Sequence, residues 1–478
     1  MKDTMFDTDM LTTTPSTTTP SNVPGQAPRT TVIGAGFAGL SCAFDLARAG
    51  HDVTVLEAAP TVGGLAGAFD TEGERLDRFY HHWFTNDLEV MGLIDDLGLS
   101  DQVVTNPTNT GVFYANKIFK LSTPLDLLKF TALPFWDRIR LGLLTLRARR
   151  VEDWRALEHE TAADWLRRLG GDTVFRVVWQ PLLQGKFGPY ADSVSAVWFW
   201  NKLKLRGGSR GKGGEERLAY LKGSFARLAE TSAAGIEAAG GRVRTGAPVE
   251  RITRAPDGTW VCSGPWGEVV SDRVVATTAL PLIADMVQDW APAPYLDQLR
   301  GIDYLANICL VLRLDRSLSS TYWLNVNDPS FPYVGVIEHT NFESADSYAG
   351  DHVVYLSKYL PHTDELYRMS DDEVMAFSIP HLQRMFPQFS PDWVRRFHVW
   401  RARWSQPVVS KHYSRLIPDS DGPQPGFHVC SMAQIYPEDR GTNYAIREGR
   451  KMAARILQDS PAPVPDPVAA PVGATAQA

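Results

Sequence analysis

Apolar and polar positions alternate along the chain in two periods. A β-branched run at 30–33, "TTVI", breaks at a glycine-rich turn, and the segment from Ala38 to Ala49 then repeats its apolar residues at helical spacing. "HDVTVLEA" returns to a short buried-strand pattern. Further on, "LANICLVLRLD" and "HVVYLSKYL" are strand-like, and "TAADWLRRLGGDTVFRVVWQPLLQGKFG" reads as two helices split at the glycines. "TPLDLLKFTALPFWDRIRLGLLTLRARR", residues 123 to 150, places Leu, Phe and Trp among Arg and Lys, as two helices broken at Pro134. In "VWFWNK", alternation puts Trp198 and Trp200 on one face if the run is a strand. No internal repeat is apparent.

The strand–turn–helix–strand start has the form of a dinucleotide site. "GAGFAG" matches G-x-G-x-x-G. Gly34 permits the tight turn, Gly36 lets backbone approach a pyrophosphate, and Gly39 lets helix and strand pack closely. The helix then presents its free N–H groups and positive dipole end to the phosphates. Glu57 ends the second strand, where a carboxylate hydrogen-bonds a ribose diol and disfavours a 2′-phosphate, hence NADP. The residues after Glu57 separate FAD from NAD. After five intervening residues comes the pair Gly63-Gly64, a second close backbone approach suited to the longer cofactor.

These residues resemble the flavoprotein superfamily of amine oxidases, protoporphyrinogen oxidases, phytoene desaturases and, more distantly, UDP-galactopyranose mutases. "LDRFYHHWFTNDLEVMGLIDDLGL" is similar to the segment leading towards the flavin. "GGRVRTGAPVERITRAPDGTWVC" with "EVVSDRVVATTALP" is similar to the middle FAD segment. "PGFHVCSMAQIYPEDRGTNYAIREGRKMAARIL" is similar to the C-terminal one. The resemblance implies an α/β fold: a Rossmann-like FAD-binding domain with a doubly wound parallel sheet, and an inserted mixed α+β substrate domain. It divides the chain into FAD-domain segments 29–110, 217–290 and 405–458 and substrate-domain segments 111–216 and 291–404; the composition of the two ends, rich in Pro with Thr and Ser or Ala, reads as disordered tails at 1–28 and 459–478. The resemblance assigns Phe37, Ala38, Ala58 and Leu65 to the cofactor contact beside the glycines, the backbone of Val249 to the adenine, and the backbone around Thr442, Asn443 and Tyr444 to the flavin pyrimidine. In one place the chain departs from the pattern: the family's Gly-Asp before the last helix is replaced by "CSMAQ", with no acid at Ser431 or Met432.

A flavin carries the hard chemistry, so the chain needs no nucleophile–base pair, and no GxSxG, HExxH or P-loop occurs. His81 and His82 are the first catalytic candidates, as a neutral imidazole accepting a substrate proton. On an extended strand one would face the flavin and the other pack behind it. The loop "NKLKLRGGSRGKGGEERLAY" offers Arg206 and Arg210 as forks for an anionic substrate. Arg440 is placed to stabilise negative charge on reduced flavin. The expected reaction is hydride transfer from a substrate C–H to flavin N5, on a small-molecule or lipid-like substrate. Two alternatives stay open: a flavin-dependent isomerase or mutase without net oxidation, and a non-catalytic FAD-stabilised binding protein.

Composition narrows the partners. The chain has 478 residues and a formal charge of −7, which argues against nucleic acid. Its four cysteines lie far apart in no metal-binding spacing, so free thiols and a reducing compartment are expected. No apolar run of about eighteen residues appears, and no secretory leader is visible. A cytoplasmic protein is expected, with segment 123–150 offering peripheral membrane contact if its basic amphipathic helices lie on a bilayer rather than on a core.

Overall fold

The structure, a computed structural model, describes residues 27–120, 124–205 and 217–459. Nearly all of both expected tails lies outside the described residues. The β-branched run forms the strand Arg29–Ile33, with its last four residues buried. It pairs in parallel with Asp52–Leu56 on one side and Arg273–Ala276 on the other. Arg242–Arg244 and Phe427–Val429 add the two outer strands, also in parallel. A parallel sheet is covered on both faces, which is why its strands are almost continuously apolar. The helix Phe37–Arg48 lies against Ser224–Ala238 and the final helix Thr442–Asp459. That last contact needs a glycine: a Cβ at Gly449 would fall 2.2 Å from the carbonyl oxygen of Ala38.

The second layer is a seven-stranded mixed sheet, in the order Val394–Pro407, Tyr304–Leu314, His352–Leu360, Gly335–Glu338, Trp323–Val326, Thr110–Tyr114, Lys117–Lys120. Its pairs are antiparallel except that of Trp323–Val326 with Thr110–Tyr114. The strand Tyr304–Leu314 is buried on both faces. Cys309 and Val311 enter the core shared with the nucleotide-binding layer, whereas Ile308, Leu310 and Leu312 enter a separate core under the helix Asp371–Met385. The α/β architecture with a parallel sheet and a mixed sheet is therefore present. Two strands, Thr110–Tyr114 and Val394–Pro407, run across the segment limits drawn from the sequence.

"VWFWNK" is not a strand. It lies in the helix Ala196–Leu205, so Trp198 and Trp200 do not share a face. The Trp200 indole donates to the Ala148 carbonyl at 2.9 Å, while Trp198 turns towards the central cavity. A run this apolar suits a buried helix as well as a strand, and tertiary packing chose the helix. Helices occur at Pro124–Leu128 and Phe135–Arg149, on either side of Pro134. All four cysteines are free and buried. Among the described residues, no helix is long and apolar enough to cross a membrane, and no cluster of His, Cys, Asp or Glu is arranged to hold a metal ion.

Candidate active site

A cavity of about 720 Å³ opens between the carboxyl ends of the parallel strands and the mixed sheet. One wall comes from the turns after the strands: Gly34 and Gly36, Glu57, Thr277 to Ala279, and Cys430 to Met432. Ligands of open α/β sheets bind at this edge. The other wall carries Asn307, Ser357, Tyr359 and Trp404 from the mixed sheet, and helices add Trp179, Lys186, Trp198, Phe199 and Lys202.

The glycine turn has the shape its sequence promised. Gly34 has a φ of +101°, and a Cβ on it would meet Thr277 Oγ1 at 2.8 Å. Gly39 lies beneath the turn, outside the cavity lining, where a Cβ would fall 2.0 Å from the Gly34 carbonyl oxygen. Gly36 faces open space. No side chain caps the helix Phe37–Arg48, so the N–H groups of Phe37 and Ala38, both lining the cavity, have no intrahelical acceptor. This donor set fits a pyrophosphate.

Glu57 holds this region together. Its carboxylate accepts from Ala35 N at 2.7 Å and from Ala59 N at 2.8 Å. Gly63 N in turn donates to the Ala35 carbonyl at 2.8 Å. The two glycine motifs are in contact: a Cβ on Gly64 would lie 3.3 Å from Gly36 Cα. Gly63, Gly64 and Leu65 line the cavity, whereas Ala58 is exposed and outside it. Val249 is buried and also outside the lining.

His81 and His82 both line the cavity. The segment before Trp83 is irregular rather than a strand, so the alternation that would send one of them away does not apply. His81 Nδ1 lies 2.6 Å from the Phe79 carbonyl. A carbonyl only accepts, so Nδ1 carries the proton and Nε2 keeps its lone pair. Burial, reinforced by the charge of Arg440 and only partly offset by the Phe79 hydrogen bond, pulls this imidazole down to about 4. His82 Nδ1 is 3.0 Å from Tyr322 Oη, and its ring meets Trp323 edge-on.

At the final helix, Thr442 lines the cavity but Asn443 and Tyr444 do not. The Asn443 side chain faces another helix, Leu88–Asp96, and accepts from its first N–H groups. Where the family's Gly-Asp is missing, Ser431 N donates to Gln434 Oε1 at 2.7 Å. The acid that reaches the cavity there is Glu448, one helix further on and held by Arg447 Nε at 2.7 Å and Lys451 Nζ at 3.0 Å.

Sequence reasoning missed Lys186 and Asp439. The buried Asp439 carboxylate receives Lys186 Nζ at 3.2 Å and Lys202 Nζ at 2.6 Å. Burial opposes ionisation of Asp439, but Lys186, Lys202 and Arg440 outweigh it and hold the carboxyl well below its usual range. Arg440 lines the cavity and donates from Nη2 to Tyr359 Oη at 2.9 Å. Arg206 and Arg210 lie outside the described residues. Several cavity-lining groups are buried without a hydrogen-bond partner: Trp179 Nε1, Trp198 Nε1, Asn307 Oδ1, Thr278 Oγ1 and Arg440 Nε. Orphaned polar atoms around one large cavity mark a place built for a ligand.

Comparison with known proteins agrees. The chain is 24% identical over 464 residues to the 15-cis-phytoene desaturase of Synechococcus elongatus, covering 90% of this chain and 96% of that protein. Its fold is similar to that of a putative protoporphyrinogen oxidase from Exiguobacterium sp. 255-15, with a TM-score of 0.73 at 17% identity, covering 91% of this chain and 100% of the other. A redesigned putrescine oxidase gives 0.70 at 17% identity, with 91% and 100% covered. The model of the flavin containing amine oxidoreductase family matches residues 37–457. With the glycine turn, the second glycine pair and the cavity they open on, the chain belongs to that family and is an FAD-dependent oxidoreductase.

Proposed function

We propose that the enzyme removes hydride from a C–H bond of a long, partly apolar substrate, in a desaturation or an amine-oxidase-like oxidation. The observation that carries this reading is the lining of the cavity. Trp179, Phe199, Leu182, Leu183 and Trp323 form apolar walls, and two histidines stand among them. Bound FAD supplies the hydride acceptor. The turn at Gly34 and Gly36 and the N–H groups of Phe37 and Ala38 would hold the cofactor's pyrophosphate, and Glu57 would hold its ribose. The aromatic walls exclude water and align an apolar chain. His81 Nε2 accepts the proton released as hydride leaves, and the Phe79 carbonyl fixes the tautomer that makes this work. A lipid-like substrate is also favoured by the similarity to a phytoene desaturase.

The test is anaerobic titration of the flavin. Bleaching by substrate with no other reductant is the expected result. Turnover only after dithionite reduction would favour an isomerase instead, and flavin unmoved by any substrate, with partner binding intact, would favour a non-catalytic role.

We further propose that the enzyme works in a reducing, cytoplasmic compartment and touches a membrane through segment 123–150. The four free thiols favour the compartment. The membrane contact is favoured by a cluster of exposed apolar side chains: Trp136 at 73%, Leu125 at 58%, Phe135 at 55% and Leu146 at 53% exposure. Lys129, Arg147, Arg149 and Arg150 stand in the same segment, a charge pattern suited to anionic lipid. Trp179 packs against the small core under these helices and also lines the cavity, so the exposed patch backs onto the substrate wall.

A further inference from the structure

Three cations gather at one end of the cavity around one buried carboxylate. Lys186 comes from the helix Gln180–Phe187, Lys202 from Ala196–Leu205, and Asp439 and Arg440 from the turn before the last helix. Both lysines reach the same oxygen of Asp439. Like charges brought together in a buried place cost free energy, which Asp439 offsets in part and a bound anion would offset further. Arg440 does not use Asp439 as a hydrogen-bond partner. It donates to Tyr359 Oη, and its Nε is buried with no acceptor. Trp198 Nε1, also buried, lacks an acceptor too.

These groups are contiguous. Lys186 Nζ sits 4.7 Å from the centre of the Trp198 ring and 5.5 Å from that of Tyr359. The Arg440 guanidinium carbon is 5.9 Å from the same Tyr359 ring. All of them line the cavity, to which Trp179, Phe199 and Trp323 add aromatic wall. An oxyanion placed here meets an ammonium, a guanidinium N–H and an indole N–H, and a cation placed here meets repulsion.

We propose that Lys186, Arg440 and Trp198 form an oxyanion-binding subsite that takes the carboxylate or phosphate end of an amphiphilic substrate, whose apolar tail runs along Trp179, Phe199 and Trp323. This rests on the oxidoreductase reading only for the word substrate; the subsite itself is a matter of equilibrium binding. It distinguishes an acidic amphiphile from an uncharged hydrocarbon and from an alkylammonium ion. Asp439 acts as a positioning residue that holds the two lysines.

The experiment is calorimetric titration of the FAD-loaded protein with decanoate, decyl phosphate, decanol and decylamine, with no turnover required. One or both acidic probes should bind about tenfold more tightly than decanol, the equivalent of one hydrogen bond to a charged group, and decylamine more weakly still. K186Q and R440Q should each remove that advantage and leave decanol binding unchanged, K186Q should keep its FAD, and K186R should restore part of the advantage. Equal affinity for decanoate, decyl phosphate and decanol overturns the proposal. So does a K186Q protein whose flavin reduction potential shifts while its affinity for the acids does not, because the cations would then serve the flavin. If K186Q fails to retain FAD, W198F decides. It keeps the apolar ring and loses the N–H, and unchanged binding of the acids in W198F overturns the subsite. Failure of substrate to bleach the flavin would count against the oxidoreductase reaction and leave these affinities as they are.

Discussion

The Asn443 side chain at the start of the last helix caps another helix 354 positions earlier, accepting from Glu89 N at 2.9 Å. It also accepts from Val90 N at 3.1 Å. The helix Leu88–Asp96 has no cap from its own N-terminal residue, so this distant amide satisfies two of its orphan donors. Asn443→Ala should cost about 1 kcal/mol of stability, and Asn443→Asp should restore most of it. Urea unfolding reads the difference. A cofactor role for the side chain would instead appear as lost FAD with unchanged stability.

Gly449 is required where the last helix crosses Phe37–Arg48. A Cβ there would also lie 2.2 Å from Ser41 Oγ. The obstruction is partly backbone, so it cannot be relieved by a rotamer change alone. Gly449→Ala should push the two helices apart, lower stability by about 1–3 kcal/mol and weaken FAD binding, because Ala38 belongs to the phosphate turn. Thermal melting of apo and FAD-loaded forms checks both effects. An unchanged melting temperature in either form would show that the helices have room to spare.

Glu57 contacts two backbone N–H groups before any ribose is present. Glu57→Ala should therefore destabilise the apoprotein as well as weaken FAD, by about 1.5–3 kcal/mol for each hydrogen bond lost to the charged group. Glu57→Asp should fall between Ala and the native residue in FAD retention. Equal retention in both variants would remove Glu57 from the cofactor site.

The His81 imidazole is neutral at physiological pH and protonates at about 4. A base at this position is competent above that value and lost below it. Flavin reduction measured by rapid mixing should thus slow as pH falls through about 4 and stay level through neutrality. His81→Ala should keep FAD, lose that acid limb and slow reduction by about 10²–10⁴. The same shift bears on folding. With the folded value depressed below the ordinary 6.5, the unfolded chain takes up the proton first. Stability from this group is present above about 6.5 and lost as pH falls towards 4. An acid limb that survives in His81→Ala would assign it to another group.

The exposed apolar cluster at 125–146 is tested with lipid. Cosedimentation with vesicles containing phosphatidylserine should be strong at low salt and fall with ionic strength. Trp136→Asp with Phe135→Asp should weaken it about tenfold or more, since two aromatic anchors are removed. The double variant should keep its FAD, as neither side chain lines the cavity. Equal cosedimentation of native and variant protein would return these helices to a solvent role.

The nucleotide half of the site was legible in the sequence because it is local. Turn, helix dipole and ribose acid all lie between Gly34 and Glu57, and backbone geometry links them through glycines whose spacing is visible in one dimension. Even there, the contact of Gly64 with Gly36 could be seen only in three dimensions. The segment "VWFWNK" shows where local pattern runs out. Its residues are apolar in every direction, so periodicity does not choose between helix and strand, and the packing of Trp200 on Ala148 does. The chemistry of the other half is long-range. Lys186 and Asp439 stand 253 positions apart, and no sequence pattern links them. Only the docking of the helix Gln180–Phe187 onto the turn before Thr442 brings these charges into one desolvated place. There burial makes each charge expensive alone, and so makes their pairing a property of the tertiary structure.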